Sequence, residues 1–296
     1  MKRVRIASRA SALALAQSHA VANWLRDKHP GLMAEVIPMT TQGDEILDRK
    51  LDQIGGKGLF IKELEQALLE DRADIAVHSA KDLPAQLAPG LALVAASSRE
   101  DARDVLVSRH AGGWDNLPDH PVIGSSSARR SAQLYQLRPD VCVEMLRGNV
   151  QTRLRKLREG QFDAIVLAAA GLKRLGLDSE ISSFFTPTSL VPAVGQGILA
   201  IEARENFDPG IFHGYHNEES WICLRAERAA MLAMNGDCGV PLGVYAQCEG
   251  SDISLTGFYG LQGRPVSAHW LGPIEHPEEQ GQLLAELLLR SWEAKE

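Results

Sequence analysis

The chain has 296 residues, 45% of them hydrophobic, and a formal net charge of −7. It is too apolar for a disordered protein and long enough for two or three compact domains. The sequence shows no apolar run of signal-peptide or membrane-span type, no CxxC pair and no convincing set of metal ligands, which favours a soluble cytoplasmic protein without disulfides or metal.

The N-terminal part of the chain alternates short β-type runs with amphipathic helical segments. The pattern predicts strands at 4–7, 35–38, 75–77 and 91–95, and helices near 11–28 and 59–70. The second helix places leucines on one side and mostly charged residues on the other, as a helix that covers a sheet does. The alternation predicts an α/β lobe.

A polar, glycine-containing segment lies between the second predicted strand and the helix near 59–70. Its lysine, Lys57, is not followed by Ser or Thr, so we reject a phosphate-binding P-loop. We interpret residues 42–58 as a flap that closes over a cleft, with an ordinary mobile loop as the alternative. The flap residues are Gly43, Asp44, Gly55, Gly56 and Lys57.

Asp82 is the first candidate for chemistry. It follows an apolar strand closely and precedes Pro84, which ends regular structure. A carboxylate at this position is expected to project into a cleft. The alternative is a turn-forming aspartate that pairs with Lys81 or caps the backbone.

From Asp104 onward the α/β pattern repeats, with predicted strands at 105–107, 122–123, 141–146 and 164–168 and helices near 128–137 and 150–158. Each half places Ser and Arg where a strand leads into a helix, at Ser8-Arg9 and at residues 125–130. Backbone N–H groups and the positive end of the helix dipole meet there. Two such lobes facing each other predict an anion-lined cleft.

Basic residues are concentrated at 124–158, where eight Lys and Arg face two acids in a chain of negative net charge. Arg155, Lys156 and Arg158 suit a solvated helix face. The remaining candidates lie near strand-to-helix turns, where guanidinium groups bind carboxylates bidentately; they are Arg129, Arg130, Arg147 and Arg153. Aromatic residues are only 5% of the chain, which argues against a nucleic-acid site.

The C-terminal part predicts a third unit. Residues 192–197 read as a linker, after which a strand at 198–203 returns to the first lobe. A helix near 218–234 ends at Asn235-Gly236, a pair suited to positive φ. Strands at 244–247, 253–259 and 265–270 and a helix near 277–292 complete a small α+β domain, which carries Cys238 in its first loop.

Eight motifs together resemble the hydroxymethylbilane synthase (porphobilinogen deaminase) family over about residues 3–245. They are R-I-A-S-R at 5–9, G-G-K-G-L-F at 55–60, H-S-A-K-D-L-P at 78–84, G-S-S-S-A-R-R at 124–130, R-G-N-V-Q-T-R at 147–153, A-A-A-G-L-K-R-L-G at 168–176, P-A-V-G-Q-G at 192–197 and the Cys238 loop. The fold class is therefore expected to be α/β, with two periplasmic-binding-protein-like lobes and a small C-terminal α+β domain. The domain boundaries predicted are 1–98 with 193–217, 99–192, and 218–296.

The resemblance implies a transferase of haem and tetrapyrrole biosynthesis. Four porphobilinogen molecules, each carrying an acetate and a propionate, are joined head to tail with loss of ammonia to give hydroxymethylbilane. A dipyrromethane cofactor made from the same substrate is attached by a thioether to the cysteine that corresponds to Cys238. The product is passed to uroporphyrinogen-III synthase, and we expect a monomer that binds neither nucleic acid nor membrane.

The family's functional residues carry over position by position. The resemblance implies that Asp82 is catalytic and stabilises the cation left on the substrate when ammonia departs. It assigns cofactor binding to Cys238, Lys81, Asp82, Ser127, Arg129, Arg130, Arg147 and Gly148. It assigns substrate binding to Arg9, Ser11, Arg147, Arg153, Ala168 and Gln196.

Two positions depart from the family pattern. Asp237 precedes the cofactor cysteine where Gly is frequent, and Gly239 follows it where a larger polar residue is frequent. An added acid disfavours the thiolate, so a catalytically silent relative stays open. A two-lobed binding protein for small carboxylates or oxyanions is the alternative from another functional class.

Overall fold

The computed structural model describes residues 3–40, 61–236 and 240–295. The first part contains β1 (Arg3–Arg9), α1 (Ala12–Lys28), β2 (Met33–Met39), α2 (Lys62–Leu69), β3 (Ile75–Ser79) and β4 (Leu91–Ala96). The second contains β5 (Asp104–Ser108), β6 (Val122–Gly124), α3 (Ala128–Leu137), β7 (Cys142–Glu144), α4 (Val150–Arg158), β8 (Ala164–Ala168), α5 (Ala169–Arg174), β9 (Ser183–Phe184) and β10 (Leu199–Arg204). The third contains α6 (Glu218–Ala233), β11 (Leu242–Glu249), β12 (Asp252–Tyr259), β13 (Val266–Pro273) and α7 (Pro277–Glu293).

Two five-stranded sheets have the same arrangement. Their orders are β2-β1-β3-β10-β4 and β7-β6-β8-β5-β9. In each sheet, three neighbouring strands run parallel, and the fourth strand, β10 or β5, is antiparallel to both of its neighbours. The sequence patterns predicted two α/β lobes, and the two sheets with their flanking helices confirm them.

The first lobe is completed by a strand that follows the second lobe in the chain. The strand β10 follows the whole second sheet but pairs with β3 and β4 of the first, from Leu199↔Ser79 to Arg204↔Leu91. The chain therefore crosses between lobes twice, at 97–103 and at 185–198. The predicted return of the strand at 198–203 is observed, whereas the domain boundaries remain a prediction.

One ion pair fastens both crossings to the third unit. The Arg99 guanidinium donates to both carboxylate oxygens of Glu227 on α6, at 2.7 and 2.9 Å, and to the carbonyls of Gln196 and Ala246. Glu227 also accepts from the backbone N–H groups of Gly195 at 2.6 Å and Ala246 at 2.8 Å. Because the acid is buried, these bonds satisfy a charge that water cannot reach. We call Arg99 and Glu227 the hinge anchor.

The third unit is a three-stranded antiparallel sheet, β11-β12-β13, covered by α6 and α7. The two helices approach closely at Gly281, where a Cβ would lie 2.0 Å from the Ala226 carbonyl oxygen. This packing confirms the predicted α+β domain. Across the part of the chain that the structure describes, no helix is long and apolar enough to cross a membrane.

Two short elements escaped prediction. α5 starts at the residue after β8, within an Ala-rich run that has no turn signal between strand and helix. β9 has two residues and exists only through its pairing with β5. The strand predicted at 141–146 is shorter in the structure, Cys142–Glu144, and the chain bends at Gly148 before it enters α4.

Candidate active site

Three helices begin just beyond parallel strands, and each has a polar N-cap. Ser11 Oγ accepts from the Ala14 N–H, Ser127 Oγ from the Arg130 N–H, and Asn149 Oδ1 from the Thr152 N–H, at 3.4, 3.4 and 2.9 Å. Such caps occupy donors that the first helical turn leaves unpaired. Ser11 and Ser127, predicted to touch ligands, therefore have a second role as caps.

Asp82 lies in a 3-10 turn, residues 80–82, immediately after β3. Its Oδ2 is 3.8 Å from Arg9 Nη1 at the end of β1, and the Asp82 side chain is 40% exposed. Arg9, Ser11 and Asp82 line the same small cavity of about 40 Å³. The carboxylate therefore lies at the end of a short turn and lines a cavity with a guanidinium beside it, and its catalytic role stays a prediction.

Lys81 lies at the meeting point of the two lobes. Its Nζ donates at 3.4 Å to Oε1 of Gln196, which lies in the second crossing. Burial lowers the Lys81 pKa to about 8, and the positive charges of Arg130 and Arg129 act in the same direction against the attraction of Asp82 and Asp104. An anion that binds beside Lys81 would stabilise its protonated form and raise its pKa again.

Asp104 is a buried acid that binds Arg129 and Arg130, two of the arginines predicted to bind ligand carboxylates. Its Oδ2 accepts from Arg129 Nη1 and its Oδ1 from Arg130 Nη2, each at 2.7 Å. Burial alone would raise the carboxyl pKa, but the two guanidinium charges hold it far below its usual range. Arg129 and Arg130 also donate to the carbonyls of Val191 and Val166. The arginines are thus fixed by a carboxylate of the chain itself.

Gln196 is 1% exposed and connects Lys81 to Asp104. Its Nε2 donates to the Ala102 carbonyl at 2.7 Å and to Asp104 Oδ1 at 3.0 Å. The Gln196 amide, predicted to bind substrate, therefore already donates its hydrogen bonds to groups of the protein. Ala168, also predicted to bind substrate, ends β8 directly opposite Asp104 in the register.

Arg147 and Arg153 flank the N-terminus of α4. The Arg153 Nε donates to the Gly148 carbonyl at 2.8 Å. Burial lowers the Arg153 pKa to about 10, with further lowering by the charges of Arg130 and Arg147 and an opposing attraction from Asp82. Asp82 belongs to the first lobe and Arg153 to the second, so the charges of the two lobes act on each other here.

Gly148 provides the tight turn before α4. Its φ is +111°, and a Cβ there would lie 2.6 Å from Thr152 Cγ2. Lys156, predicted to be a surface residue, is half-buried and donates to the Arg147 carbonyl at 3.3 Å. Two side chains of α4 therefore hold the loop that carries Arg147.

Three residues that shape the cleft were missed by the sequence analysis: Asp104, Arg99 and Glu227. The signal for Glu227 was present, because it shares an otherwise apolar helix face with Cys223 and Ala230. For Asp104 the signal was an acid at the start of an apolar strand within the charged run 99–104. Cys238 and the flap residues Gly43, Asp44, Gly55, Gly56 and Lys57 lie outside the described residues.

Comparisons with known proteins identify the family. Residues 4–209 match the family model "Porphobilinogen deaminase, dipyromethane cofactor binding domain", and residues 221–290 match "Porphobilinogen deaminase, C-terminal domain". The chain belongs to the porphobilinogen deaminase family. The porphobilinogen deaminase of Clostridium acetobutylicum is 45% identical over 288 residues, covering 97% of this chain and 99% of that one. The enzyme of Stenotrophomonas maltophilia is 48% identical, covering 98% and 97%.

A solved structure, the periplasmic aliphatic sulphonate binding protein of Escherichia coli, is similar at a TM-score of 0.42 and 12% identity. The match covers 79% of this chain and 71% of that chain. The resemblance to porphobilinogen deaminases stated from the motifs is confirmed by the family matches and by the two relatives.

The charges of the cleft fit the cofactor that the family model names. Among the described residues, six cations (Arg9, Lys81, Arg129, Arg130, Arg147 and Arg153) share the cleft with two carboxylates, Asp82 and Asp104. The excess is four positive charges. A dipyrromethane whose two rings each carry an acetate and a propionate supplies four carboxylates. The described part of the cleft therefore carries the sign of charge that an acid-bearing cofactor requires.

We predict that Lys81→Met stabilises the cofactor-free protein by about 2 kcal/mol near pH 7 and that this gain is lost as the pH rises to about 11. The Lys81 pKa is about 8 in the folded chain against 10.5 ordinarily, so between these values the unfolded state binds more protons. Wild-type stability therefore rises with pH over that window. Urea unfolding of both proteins across the window measures it, with the exposed Lys28→Met as control. A difference that is constant with pH would contradict the prediction.

Proposed function

We propose that this chain is a hydroxymethylbilane synthase, which joins four porphobilinogen molecules head to tail, with loss of ammonia, on a dipyrromethane primer. The observation that carries the proposal is the cleft itself, where Asp82 lies among cations whose surplus charge matches an acid-bearing oligopyrrole. The family matches cover both the cofactor-binding and the C-terminal regions of the chain.

The cofactor would be held by residues from all parts of the chain. Cys238 is assigned as its thioether attachment point, and Lys81, Ser127, Arg129, Arg130, Arg147 and Gly148 as its carboxylate and backbone contacts. When bound, the dipyrromethane supplies the free ring carbon to which the first substrate is joined. The chain contributes fixed guanidinium groups, which cost little reorganisation when a carboxylate binds.

Asp82 is assigned as the catalytic residue. Loss of ammonia from the aminomethyl group of porphobilinogen leaves a cation on the substrate ring. A carboxylate oriented by Arg9 stabilises this cation in two ways. It accepts a hydrogen bond from the pyrrole N–H, and its negative charge attracts the positive charge of the same ring. The cation is stabilised more than the neutral substrate, so the interaction lowers the barrier rather than only tightening binding.

Substrate binding is assigned to Arg9, Ser11, Arg147, Arg153, Ala168 and Gln196, and the flap to residues 42–58. Gln196 acts through Lys81 and Asp104, since its buried amide is bonded to both. Arg9 and Arg153 come from opposite lobes, so an incoming ring with two carboxylates is gripped from both sides.

The cellular setting completes the proposal. A cytoplasmic location agrees with the free thiols of Cys142, Cys223 and Cys248. We propose that the enzyme works as a monomer and passes its product to uroporphyrinogen-III synthase. Both assignments follow from the family resemblance.

Intact-protein mass spectrometry of the denatured enzyme tests the function. The expected result is a mass increment of two pyrrole units, which peptide mapping locates on Cys238, and discrete further increments after addition of porphobilinogen. The variant Cys238→Ser should show the bare polypeptide mass. A wild-type chain with bare mass that binds porphobilinogen without consuming it would favour the two-lobed carboxylate-binding protein instead.

A further inference from the structure

Two thiols that the proposed chemistry does not use lie in contact in the third unit. Cys223 is on α6 and Cys248 is near the end of β11, and their Sγ atoms are 3.7 Å apart. This is a non-bonded contact between two sulfurs on different elements. A disulfide requires Sγ atoms about 2.05 Å apart, so the two sulfurs must approach by about 1.6 Å for the bond to form.

The pair opens onto a cavity of about 470 Å³ at the junction of the first crossing and the third unit. The cavity is lined by residues 98–103, by Pro187 and by the sides of α6 and β11 that carry the two cysteines. Cys223 is buried, whereas Cys248 is partly exposed. A small reagent in the cavity therefore meets Cys248 first, with Cys223 directly behind it.

The position of the pair relates it to the hinge anchor. Cys223 precedes Glu227 by one helical turn on α6, and Cys248 follows Ala246 by two residues on β11. Glu227 accepts from the Ala246 N–H, and Arg99 donates to the Ala246 carbonyl. The two sulfurs thus stand beside the bonds that fasten both crossings to the third unit.

We propose that Cys223 and Cys248 form a thiol–disulfide modification site that responds to oxidised low-molecular-weight thiols. Cys248 loses its proton and attacks the small disulfide, which forms a mixed disulfide and releases one thiolate. Cys223 then loses its proton and attacks the Cys248 sulfur, which forms the intramolecular bond and releases the second thiolate. Two protons and two electrons pass from the pair to the small disulfide, which becomes two thiols.

Two physical consequences follow from the surroundings. Burial raises the pKa of both thiols, and the Glu227 charge adds to this at Cys223, so little thiolate is present and exchange is slow at neutral pH. Once formed, the bond joins α6 to β11 beside the hinge anchor and constrains the unfolded chain. The oxidised protein should therefore unfold at a higher temperature than the reduced one.

The experiment treats the full-length holoenzyme with bis(2-hydroxyethyl) disulfide, removes the reagent, and maps peptides without reduction. The expected product is a cross-linked peptide pair joining Cys223 to Cys248, together with a raised Tm that dithiothreitol reverses. The Cys142→Ser variant, which removes an exposed thiol elsewhere, should form the same cross-link. The Cys248→Ser variant should show neither the cross-link nor the shift in Tm.

Three results would overturn the proposal. One is complete recovery of Cys223 and Cys248 as free thiols after prolonged treatment. Another is a stable mixed disulfide on Cys248 that never proceeds to Cys223. The third is a cross-link that contains Cys142 or Cys238 in place of either member of the pair.

Discussion

Replacing Asp82 with Asn is expected to lower kcat by about a thousandfold while the fold and substrate binding are retained. A carboxylate about 4 Å from a unit positive charge contributes roughly 4 kcal/mol at an effective dielectric near 20, which corresponds to a rate factor of about that size if it acts on the transition state alone. Asn keeps the shape of Asp82 and its place after β3 but removes the charge. Single-turnover kinetics with porphobilinogen measure the effect.

Two variants make the Asp82 result specific. Asp82→Glu retains the carboxylate and should keep part of the activity, because the charge is displaced rather than lost. Asp252→Asn, on β12 of the C-terminal sheet, should turn over as the wild type does. Near-normal kcat in Asp82→Asn would remove this residue from the mechanism, whatever the outcome for the controls.

Replacing Asp104 with Asn is expected to destabilise the cofactor-free protein by about 3–5 kcal/mol and to impair cofactor loading. Removing one partner of a buried ion pair leaves the other charge without compensation, and here two guanidinium groups depend on one carboxylate. The neutral amide also presents N–H donors where Arg129, Arg130 and Gln196 already donate. Urea unfolding gives the stability, and intact-protein mass gives the loaded fraction.

A control for Asp104 is Glu286→Gln, which breaks an exposed ion pair with Arg290. The control should change stability little, since exposed pairs contribute little. If Asp104→Asn were as stable as the wild type and were fully loaded with cofactor, the buried carboxylate would have no part in fixing the arginines.

Elements with local signals were predicted well from the sequence. The helices at 128–137 and 150–158 were predicted at the observed bounds, because Ser127 and Asn149 mark their starts as N-caps. Asn235 adopts a φ of +48° after α6, as expected for a helix that ends at Asn-Gly. The cation-rich turns and Asp82 were also visible, because their residue types and positions after strands are properties of short segments.

Local sequence patterns did not predict the ion pairs and strand pairs between residues that are far apart in the chain. Nothing within the run 99–104 shows that Asp104 meets arginines 25 and 26 residues later, or that Arg99 meets Glu227 across 128 residues. The sequence analysis therefore gave Arg129 and Arg130 only ligand carboxylates as partners. The antiparallel fourth strand in each sheet was likewise unpredicted, because strand direction is set by tertiary pairing and not by the alternation of apolar residues.

The late return of β10 to the first sheet also bears on how the protein is made on the ribosome. The second lobe is encoded without interruption, so all of its strands have been synthesised by residue 184, whereas the first lobe needs β10, which ends at Arg204. Until then β4 has no neighbour among the described strands, since of these it pairs with β10 alone. The N-terminal lobe, although translated first, is thus the later of the two to reach its complete sheet, and nascent chains that stop short of β10 expose an unpaired strand edge.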